Sequence, residues 1–351
     1  MIKARPEVEA LTPYVAPLEG RRALLRLDFN ESTVGPSRKV MAAVRALGPE
    51  AYAAYPEYAG LNEAFAASLG VTAEHVEAFN GVDAAIKAIF DAYGDKGGTF
   101  LTTTPTFGYY EPCAQQQGMT IEEVPYRDDL GYPLEAITRR LQAGPRLLFV
   151  CNPNNPTGTL LPPATLLGLA RSAPHTLLVV DELYAPFTGQ SVIPAALDLP
   201  NVVALRSLSK AAGMAALRLG FAVGHPSILD RLRRVTGPYD INMVAVVAGK
   251  AALGDPEHMR RYVAEVLAAR AWTVEQLGRL GVRHFAGGGN YMLVWPPGDC
   301  ETAVQALKER GILVRSMARK PVIGGSFRLT IGTRADMERF LAAFREVLAA
   351  R

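Results

Sequence analysis

Short apolar runs alternate with helical patterns between about residues 75 and 225 of the chain. Apolar runs that are bounded by polar or turn-forming residues are typical of the strands of a buried sheet. The runs read GTFLTT, MTIEEV, RLLFV, TLLVVD, VVALRS and LGFAVG. Strands that alternate with helices in this way predict an α/β fold, a three-layer sandwich in which helices cover both faces of a mainly parallel central sheet.

The C-terminal part of the chain carries a different order of patterns. A long helical stretch at residues 256–281 is followed by the apolar segment YMLVW, the helical segment TAVQALKERG, the segments ILVRSM and FRLTIGT, and the closing helix ADMERFLAAFREVLAAR. This mixture predicts a smaller α+β domain, which the N-terminal segment completes. We therefore predict a large domain at residues 38–238 and a small domain made of residues 1–37 and 239–351.

Composition and charge narrow the class of partner. The chain has 351 residues, of which 49% are hydrophobic and 20% are charged, and this composition is typical of a soluble globular protein. Its formal net charge is only +3 and no basic run occurs, so we expect no nucleic-acid partner. No apolar run reaches the roughly 18 residues that a membrane span requires, and the N-terminus lacks the apolar core of a signal peptide. Chemistry on small molecules is the remaining expectation.

The cysteines and histidines indicate neither disulfides nor a metal site. Cys113, Cys151 and Cys300 are odd in number and far apart, which favours reduced thiols in a cytoplasmic protein. The five histidines show no metal-binding spacing such as HExxH. We therefore expect no metal in the site.

Three groups of polar residues follow predicted strands of the central sheet. They are the loop CNPNNPTG at residues 151–158, the pair Asp181 and Tyr184, and the group Ser207, Ser209, Lys210 and Arg218. Ligands of open α/β sheets bind outside the carboxyl ends of the strands, where these groups lie. Each group alone could be a helix cap, a turn or a solvated loop.

The three groups together supply the chemistry that a pyridoxal phosphate enzyme needs. The Lys210 amine can form a Schiff base with the cofactor aldehyde, and the Asp181 carboxylate can keep the ring nitrogen protonated. The loop amide and the Tyr184 phenol can hold the ring hydroxyl, while serine hydroxyls and a guanidinium suit a phosphate group. One cofactor, pyridoxal 5'-phosphate, thus explains all three groups.

The chain also resembles the fold-type I, class I/II aminotransferases over nearly its whole length, and within them the histidinol-phosphate aminotransferase branch. The motifs that carry the resemblance are NPNNPTG, DELY, SLSK with Arg218 eight residues beyond the lysine, and FRLTIGT, and they occur in the family's order. PYDIN at 238–242 and GNYMLVW at 289–295 are similar to the branch. The resemblance implies a pyridoxal-phosphate-dependent aminotransferase of histidine biosynthesis.

The resemblance implies a role for each residue of the cofactor site. Lys210 is expected to bind the cofactor and to move the substrate proton, with Asp181 at the ring nitrogen and Tyr184 at the ring hydroxyl. Phe107 is expected against the ring face, although it could be an ordinary core aromatic. The other residues expected to contact the cofactor are Asn155 at the ring hydroxyl and, around the phosphate, Ser207, Ser209, Arg218, the backbone of Gly81 and Val82, and Asp83 as the cap of a helix that begins there.

Tyr55, in AAYPEYAG, matches a family tyrosine that reaches the cofactor phosphate of the neighbouring subunit. The resemblance therefore implies a homodimer whose active sites are shared. A loop tyrosine that packs locally is the alternative.

For the substrate, the resemblance points to an amine that carries a phosphate. Arg328 in FRLTIGT matches the family arginine that grips the substrate's anionic group, Arg315 in ILVRSM matches a second arginine of the branch, and Tyr14 in LTPY matches a branch tyrosine. Two arginines and a phenol suit a dianionic phosphate. Asn30 is expected to join this site. Histidinol phosphate is thus the expected amino donor and 2-oxoglutarate the expected acceptor, with ping-pong kinetics.

Some positions depart from the family's pattern and leave other functions open. The chain reads Asn-Glu-Ser-Thr-Val-Gly at residues 30–35 where the family reads close to Asn-Glu-Asn-Pro-Tyr-Gly, so an aromatic near the substrate pocket is missing. Ala212 stands where a larger aromatic is common, and Asp240 replaces an asparagine. An aromatic or broad-specificity aminotransferase is the first alternative. A pyridoxal-phosphate-dependent decarboxylase of a phosphorylated amino acid and a non-catalytic regulator are the others.

Overall fold

The computed structural model describes residues 2–13, 18–193 and 195–350, in which helices and strands alternate. The helices are α1 (Pro6–Glu9), α2 (Arg38–Arg45), α3 (Glu50–Ala53), α4 (Ala59–Leu69), α5 (Val82–Tyr93), α6 (Tyr110–Gln116), α7 (Leu134–Leu141), α8 (Pro163–Ser172), α9 (Pro226–Arg233), α10 (Met243–Leu253), α11 (Pro256–Arg279), α12 (Cys300–Glu309) and α13 (Arg334–Ala349). The strands are β1 (Leu25–Leu27), β2 (Val76–Asn80), β3 (Thr99–Thr104), β4 (Thr120–Pro125), β5 (Leu147–Cys151), β6 (Leu177–Asp181), β7 (Val202–Ser207), β8 (Leu219–Gly224), β9 (Arg283–Ala286), β10 (Tyr291–Trp295), β11 (Ile312–Ser316) and β12 (Phe327–Thr330).

The larger sheet of the described chain has seven strands in the order β2-β8-β7-β6-β5-β3-β4. The strands β3 to β7 run parallel, while β8 runs antiparallel to β7, and β2 antiparallel to β8. The six apolar runs of the sequence form β3 to β8, which confirms the predicted mainly parallel sheet. The strand β2 carries no such run, since only Val76 and Phe79 of its residues are fully buried.

Helices cover both faces of this sheet. Phe149 and Val179 belong to the core that α5, α6 and α9 close on one face. Their neighbours Leu148 and Val180 belong to the core under α7 and α8 on the other face, because successive side chains of a strand point in opposite directions. This arrangement confirms the three-layer sandwich, and it leaves the carboxyl ends of the strands as the edge where ligand-binding groups can gather.

The smaller sheet has the order β1-β11-β12-β10-β9 and is antiparallel except for the pair of β1 and β11. The N-terminal segment therefore contributes a strand to it. The sheet packs against α11, α12 and α13. The helix α10 packs with α2, α4 and Phe221 of β8 in a separate core beside the larger sheet. The domain division at residues 38 and 238 stays a prediction.

Neither a membrane span nor a disulfide occurs in the described part of the chain. The helices there fall short of the length and apolar character that crossing a bilayer requires. The thiols of Cys113, Cys151 and Cys300 are all buried. Among the same residues, no three His, Cys, Asp or Glu side chains are grouped so that they could hold a metal ion.

A close approach of two backbone segments holds the loop that carries Lys210. Gly213 has a φ of +70°, and a Cβ at this position would lie against the backbone of Gly35, well inside van der Waals contact. Gly213→Ala is therefore expected to lower the free energy of unfolding by about 1–3 kcal/mol, because alanine rarely adopts this φ and the two segments would have to separate. Urea denaturation measures the change.

Gly168→Ala is the matched control for this substitution. Gly168 lies inside α8, and nothing lies within 4 Å of the position that its Cβ would take. We expect the control to raise the free energy of unfolding by about 0.5–1 kcal/mol, since alanine has the higher helix propensity. Equal stability of the two variants would contradict the close approach at Gly213.

Candidate active site

A cavity of about 360 Å³ lies at the carboxyl ends of β5, β6 and β7 and extends to β11 and β12 of the smaller sheet. Most of the predicted site residues line this cavity, although they are scattered along the chain. They are Asn30, Val82, Asp83, Phe107, Asn155, Asp181, Tyr184, Ser207, Ser209, Lys210, Arg218, Arg315 and Arg328. The candidate active site therefore lies between the two sheets.

Lys210 follows the end of β7, and its amine is buried in the cavity. The Nζ atom donates a hydrogen bond to the carbonyl oxygen of Phe29 at 2.8 Å, and no described carboxylate forms an ion pair with it. Burial and the nearby Arg328 guanidinium lower the pKa of Lys210 to about 8, from 10.5. Near neutral pH the amine is therefore neutral, as a nucleophile must be, far more often than that of an ordinary lysine.

Asp181 ends β6 and is buried at the base of the cavity. Its Oδ2 accepts a hydrogen bond from the Tyr110 hydroxyl at 2.6 Å, and its Oδ1 accepts one from the Leu183 N–H at 3.2 Å. Burial raises the pKa of Asp181 to about 6, although these hydrogen bonds favour the ionised form. A buried carboxylate without a lysine or arginine partner in the described chain is suited to a cationic group of a ligand.

Asn155 and Arg328 meet where the loop after β5 faces β12. Arg328 donates from Nη1 to the Asn155 side-chain oxygen and from Nη2 to the carbonyl oxygen of Asp28 at 2.6 Å. The Nε of Arg328 is buried and has no hydrogen-bond partner among the described residues. Burial lowers the pKa of Arg328, but a guanidinium stays protonated at neutral pH. An orphan donor on a buried cation is suited to a negatively charged substrate group.

Asn30 is held by hydrogen bonds between the two sheets. Its amide nitrogen donates to the Tyr184 hydroxyl at 2.8 Å, and its backbone N–H donates to the Thr330 hydroxyl at 2.9 Å. The Asn290 side chain donates to the Asn30 carbonyl oxygen at 3.1 Å. Asn30 has a φ of 55°, a conformation that asparagine adopts more readily than most residues. Asn30 thus orients the Tyr184 phenol in the cavity.

The residues predicted to hold a phosphate lie together at the start of α5. The Gly81 backbone has a φ of +79°, and a Cβ there would lie 2.5 Å from Arg218 Nη2, so only glycine lets the guanidinium come this close. The Ser207 hydroxyl accepts from the Ser209 N–H at 2.9 Å and donates to the Leu219 carbonyl oxygen at 3.2 Å. The Ser209 hydroxyl makes no hydrogen bond to the described residues.

The prediction that Asp83 caps α5 is wrong. Gly81 occupies the N-cap position, and no side chain accepts a hydrogen bond from the first turn. Asp83 instead forms an ion pair with Arg218, with Oδ2 and Nη2 2.9 Å apart. The backbone N–H groups of the first turn are therefore left for another acceptor, and a helix N-terminus of this kind favours an anion.

Arg315 and Arg328 are directly opposite each other on the antiparallel strands β11 and β12. Opposite residues of such a pair point to the same face of the sheet, so both guanidinium groups reach the cavity. The Arg315 guanidinium lies 5.7 Å from the centre of the Phe29 ring, and that of Arg21 lies 4.0 Å from it. Arg21 is itself held by Asp28 in an ion pair of 2.6 Å.

Sequence reasoning missed Tyr110, Phe29 and Lys320, which contact or line the site. Tyr110 belongs to the PTFGYY segment and follows Phe107 by three residues, so the motif held the signal. Phe29 lies in the segment between β1 and Asn30. Its aromatic side chain was the only indication in the sequence that it belongs to the site. No sequence signal pointed to Lys320.

Two predicted residues of the described chain, Gly81 and Tyr55, do not line the cavity. Tyr55 is 72% exposed and stacks on the exposed Tyr239, with ring centres 4.0 Å apart. Tyr14 lies outside the described residues.

Comparison with known proteins identifies the family to which the chain belongs. The family model described as aminotransferase class I and II matches residues 22–344. Histidinol-phosphate aminotransferases of Anaeromyxobacter sp. (strain Fw109-5) and Moorella thermoacetica are each 34% identical to the chain; the first match covers 98% of the chain and 99% of the relative, the second 99% and 93%.

A solved structure supports the fold. The histidinol-phosphate aminotransferase from Sinorhizobium meliloti, in complex with pyridoxal-5'-phosphate, superimposes with a TM-score of 0.90 at 24% identity, over 100% of this chain and 98% of that one. The family match spans most of the sequence and includes every residue that lines the cavity except Leu18. The chain therefore belongs to the class I and II aminotransferases.

Proposed function

We propose that this chain is a histidinol-phosphate aminotransferase of histidine biosynthesis, which uses pyridoxal phosphate and passes the amino group to 2-oxoglutarate. The family membership and the two relatives at 34% identity support the reaction class and the donor. The observation that carries the choice of donor is the pair Arg315 and Arg328, which lie opposite each other and both line the cavity that contains Lys210.

The residues of the cavity fit pyridoxal phosphate by their own chemistry. Lys210 provides a buried amine of lowered pKa, and Asp181 provides a buried carboxylate without a cationic partner in the described chain. The start of α5 has no side-chain cap, and Arg218 lies against Gly81 beside it. An amine, a carboxylate and an anion site in one cavity match the aldehyde, the ring nitrogen and the phosphate of this cofactor.

Each of these side chains has a defined task in the proposed reaction. When bound, pyridoxal phosphate supplies an electron sink for the negative charge that develops at the substrate carbon bearing the amine. Asp181 holds the proton on the ring nitrogen, which keeps that sink effective. The Nζ of Lys210 would bind the cofactor aldehyde. Once the substrate amine has taken its place, Nζ would accept a proton from the substrate carbon that bears the amine and deliver it to the cofactor carbon that had carried the aldehyde. Tyr184, oriented by Asn30, and Asn155 hold the ring hydroxyl.

The two arginines explain how one site could accept two different substrates. Histidinol phosphate has a phosphate and no carboxylate, whereas 2-oxoglutarate has two carboxylates. A guanidinium binds either group through paired N–H donors, and two guanidinium groups suit the dianionic phosphate best. Ping-pong kinetics are expected, because the keto product of histidinol phosphate would leave, with the amino group retained on the enzyme, before 2-oxoglutarate binds at Arg328.

We further propose a cytoplasmic homodimer with shared active sites. The exposed stack of Tyr55 and Tyr239 supports the dimer, since an aromatic pair in water is favourable surface for a second subunit. The buried thiols of the three cysteines support a reducing compartment.

The test of this function is a half-reaction without any keto acid. Histidinol phosphate added to the purified holoenzyme is expected to replace the visible band of the cofactor's aldehyde form by that of its amine form, and 2-oxoglutarate is expected to restore it. No spectral change with histidinol phosphate, together with a change on phenylalanine or tyrosine, would assign the chain to the aromatic or broad-specificity aminotransferases. Release of carbon dioxide from a phosphorylated amino acid would assign it to the decarboxylases.

A further inference from the structure

Tyr110 is a fully buried residue that contacts two parts of the proposed cofactor site. It is 1% exposed and begins α6, directly after the loop that carries Phe107. Its hydroxyl donates to Asp181 Oδ2 at 2.6 Å. Its ring and that of Phe107 pack edge to face, with centres 5.5 Å apart and planes at 79°. One side chain therefore touches both the carboxylate and the aromatic ring that the proposed function assigns to the cofactor.

We propose that Tyr110 is a positioning residue of the active site, which fixes the Asp181 carboxylate in its ionised form and fixes the Phe107 ring beside it. This inference rests on the proposed function, because it deepens the role given there to Asp181. Tyr110 acts through Asp181 and Phe107 and has no contact with the reacting atoms of its own.

The hydroxyl of Tyr110 stabilises a charge that its surroundings otherwise oppose. Asp181 is buried, and the titratable groups that act on it include Tyr110, Cys151, Asp83, Glu182 and Tyr184, none of which is a cation. The cations Lys210, Arg218 and Arg328 line the same cavity, but none of them forms an ion pair with Asp181 in the described chain. The Tyr110 hydroxyl and the Leu183 N–H are the hydrogen-bond donors to Asp181 in the described chain. Burial raises the pKa of Tyr110 well above 10, so the hydroxyl remains a donor at every working pH.

Removal of this hydroxyl is expected to change the titration of Asp181. A hydrogen bond to a charged group stabilises that charge enough to lower a carboxyl pKa by about one to two units. Without it, the folded-state pKa of Asp181 rises further above its ordinary value, and the carboxyl becomes protonated at a higher pH. A protonated Asp181 cannot hold the proton on the ring nitrogen by charge, so activity is lost on the acidic side first.

Tyr110→Phe tests the proposal, since it removes one oxygen and keeps the packing against Phe107. In the pH profile of the holoenzyme's half-reaction rate, the acidic limb is expected to move to higher pH by about one to two units. The affinity for the cofactor is expected to fall over the same pH range. The rate should fall about tenfold or more on that limb and return to nearly that of the unchanged enzyme at high pH. A loss of the same size at every pH would overturn the proposal.

Tyr132→Phe is the matched control. Tyr132 is also buried, but its hydroxyl has no hydrogen-bond partner in the described chain, and it lies on the other face of the larger sheet. We expect no displacement of the pH profile in this variant, and a displacement equal to that of Tyr110→Phe would contradict the specific role of Tyr110. Urea denaturation of both variants shows whether they are folded.

A direct titration of Asp181 separates this inference from the proposed function. Carboxyl carbon-13 NMR of the full chain, with Asp181→Asn to assign the signal, is expected to give a pKa that is about one to two units higher in Tyr110→Phe. An unchanged pKa would overturn the role of Tyr110 even where the histidinol phosphate half-reaction succeeds. A raised pKa would support the coupling even where the substrate is a different amine.

Discussion

Lys210→Ala is expected to abolish the visible band that the cofactor shows when it is joined to the chain and to lower turnover by at least about 10²–10⁴-fold. Loss of the proton-moving amine alone accounts for this factor, and loss of the covalent attachment adds to it. The amine is buried in the cavity, and its pKa of about 8 makes it reactive where exposed lysines are protonated. Absorbance spectra and steady-state rates measure the two effects.

Lys320→Ala is the control for Lys210→Ala, because Lys320 also lines the cavity but is exposed to solvent. The control is expected to keep the visible band. In the cofactor-free chain, labelling of Lys210 by an amine-directed reagent is expected to rise as the pH rises through about 8. A visible band that survives in Lys210→Ala, or labelling that rises only near 10.5, would contradict the assignment.

Arg328→Ala is expected to lower kcat/KM for both half-reactions by about 10²–10³-fold. Arg328 is only 7% exposed, and its orphan Nε is aimed at no group of the described chain. Truncation of a buried charge that pairs with a ligand anion costs several kcal/mol, which corresponds to this factor. The substitution also leaves the Asp28 carbonyl and the Asn155 side chain without their donor. Rates with histidinol phosphate and with glutamate measure the effect.

Arg315→Ala provides the contrast that identifies the substrate group. Arg315 lies beside Arg328, and its guanidinium lies near the Phe29 ring. Its removal is expected to lower kcat/KM for histidinol phosphate at least about tenfold more than for glutamate, because a dianionic phosphate uses both guanidinium groups. Equal losses for the two substrates would argue against a phosphate at this place. Retention of the visible band in both arginine variants would show that the cofactor site is intact.

The sequence predicts a strand most clearly where burial on both faces leaves a continuous apolar run. RLLFV and TLLVVD became β5 and β6, every residue of which is buried. The strands β2 and β9 escaped prediction; both lie at sheet edges and are partly exposed, and β9 even begins with Arg283 and His284. The edge strand β4 is also partly exposed, but its apolar residues were enough to predict it. Partly exposed edge strands retain polar side chains, so their pattern is close to that of a loop.

The residues of the candidate site were predictable where each one lies in a short segment at the end of a strand. Asn155 and Lys210 follow strands of the larger sheet and Asp181 ends one, and the rule that ligands bind at the carboxyl ends of strands was enough to group the segments that carry them. Tyr110 and Phe29 were missed because their roles depend on partners far along the chain. The Tyr110 hydroxyl meets a carboxylate 71 residues away, and the Phe29 carbonyl accepts from Lys210 across 181 residues.

The amino-acid sequence alone determined the α/β fold and the three strand-end groups of the cavity, because apolar periodicity and strand-end loops are local properties of the chain. The resemblance to the aminotransferases supplied other residues of the cavity, among them Arg315 and Arg328. The tertiary structure decided which partner each of these residues takes. Asp83 pairs with Arg218 instead of capping α5, and Arg315 stands opposite Arg328 on the next strand. Such pairings depend on strand register and on how a helix packs against its sheet. Burial in the cavity between the two sheets lowers the pKa of Lys210 and raises that of Asp181.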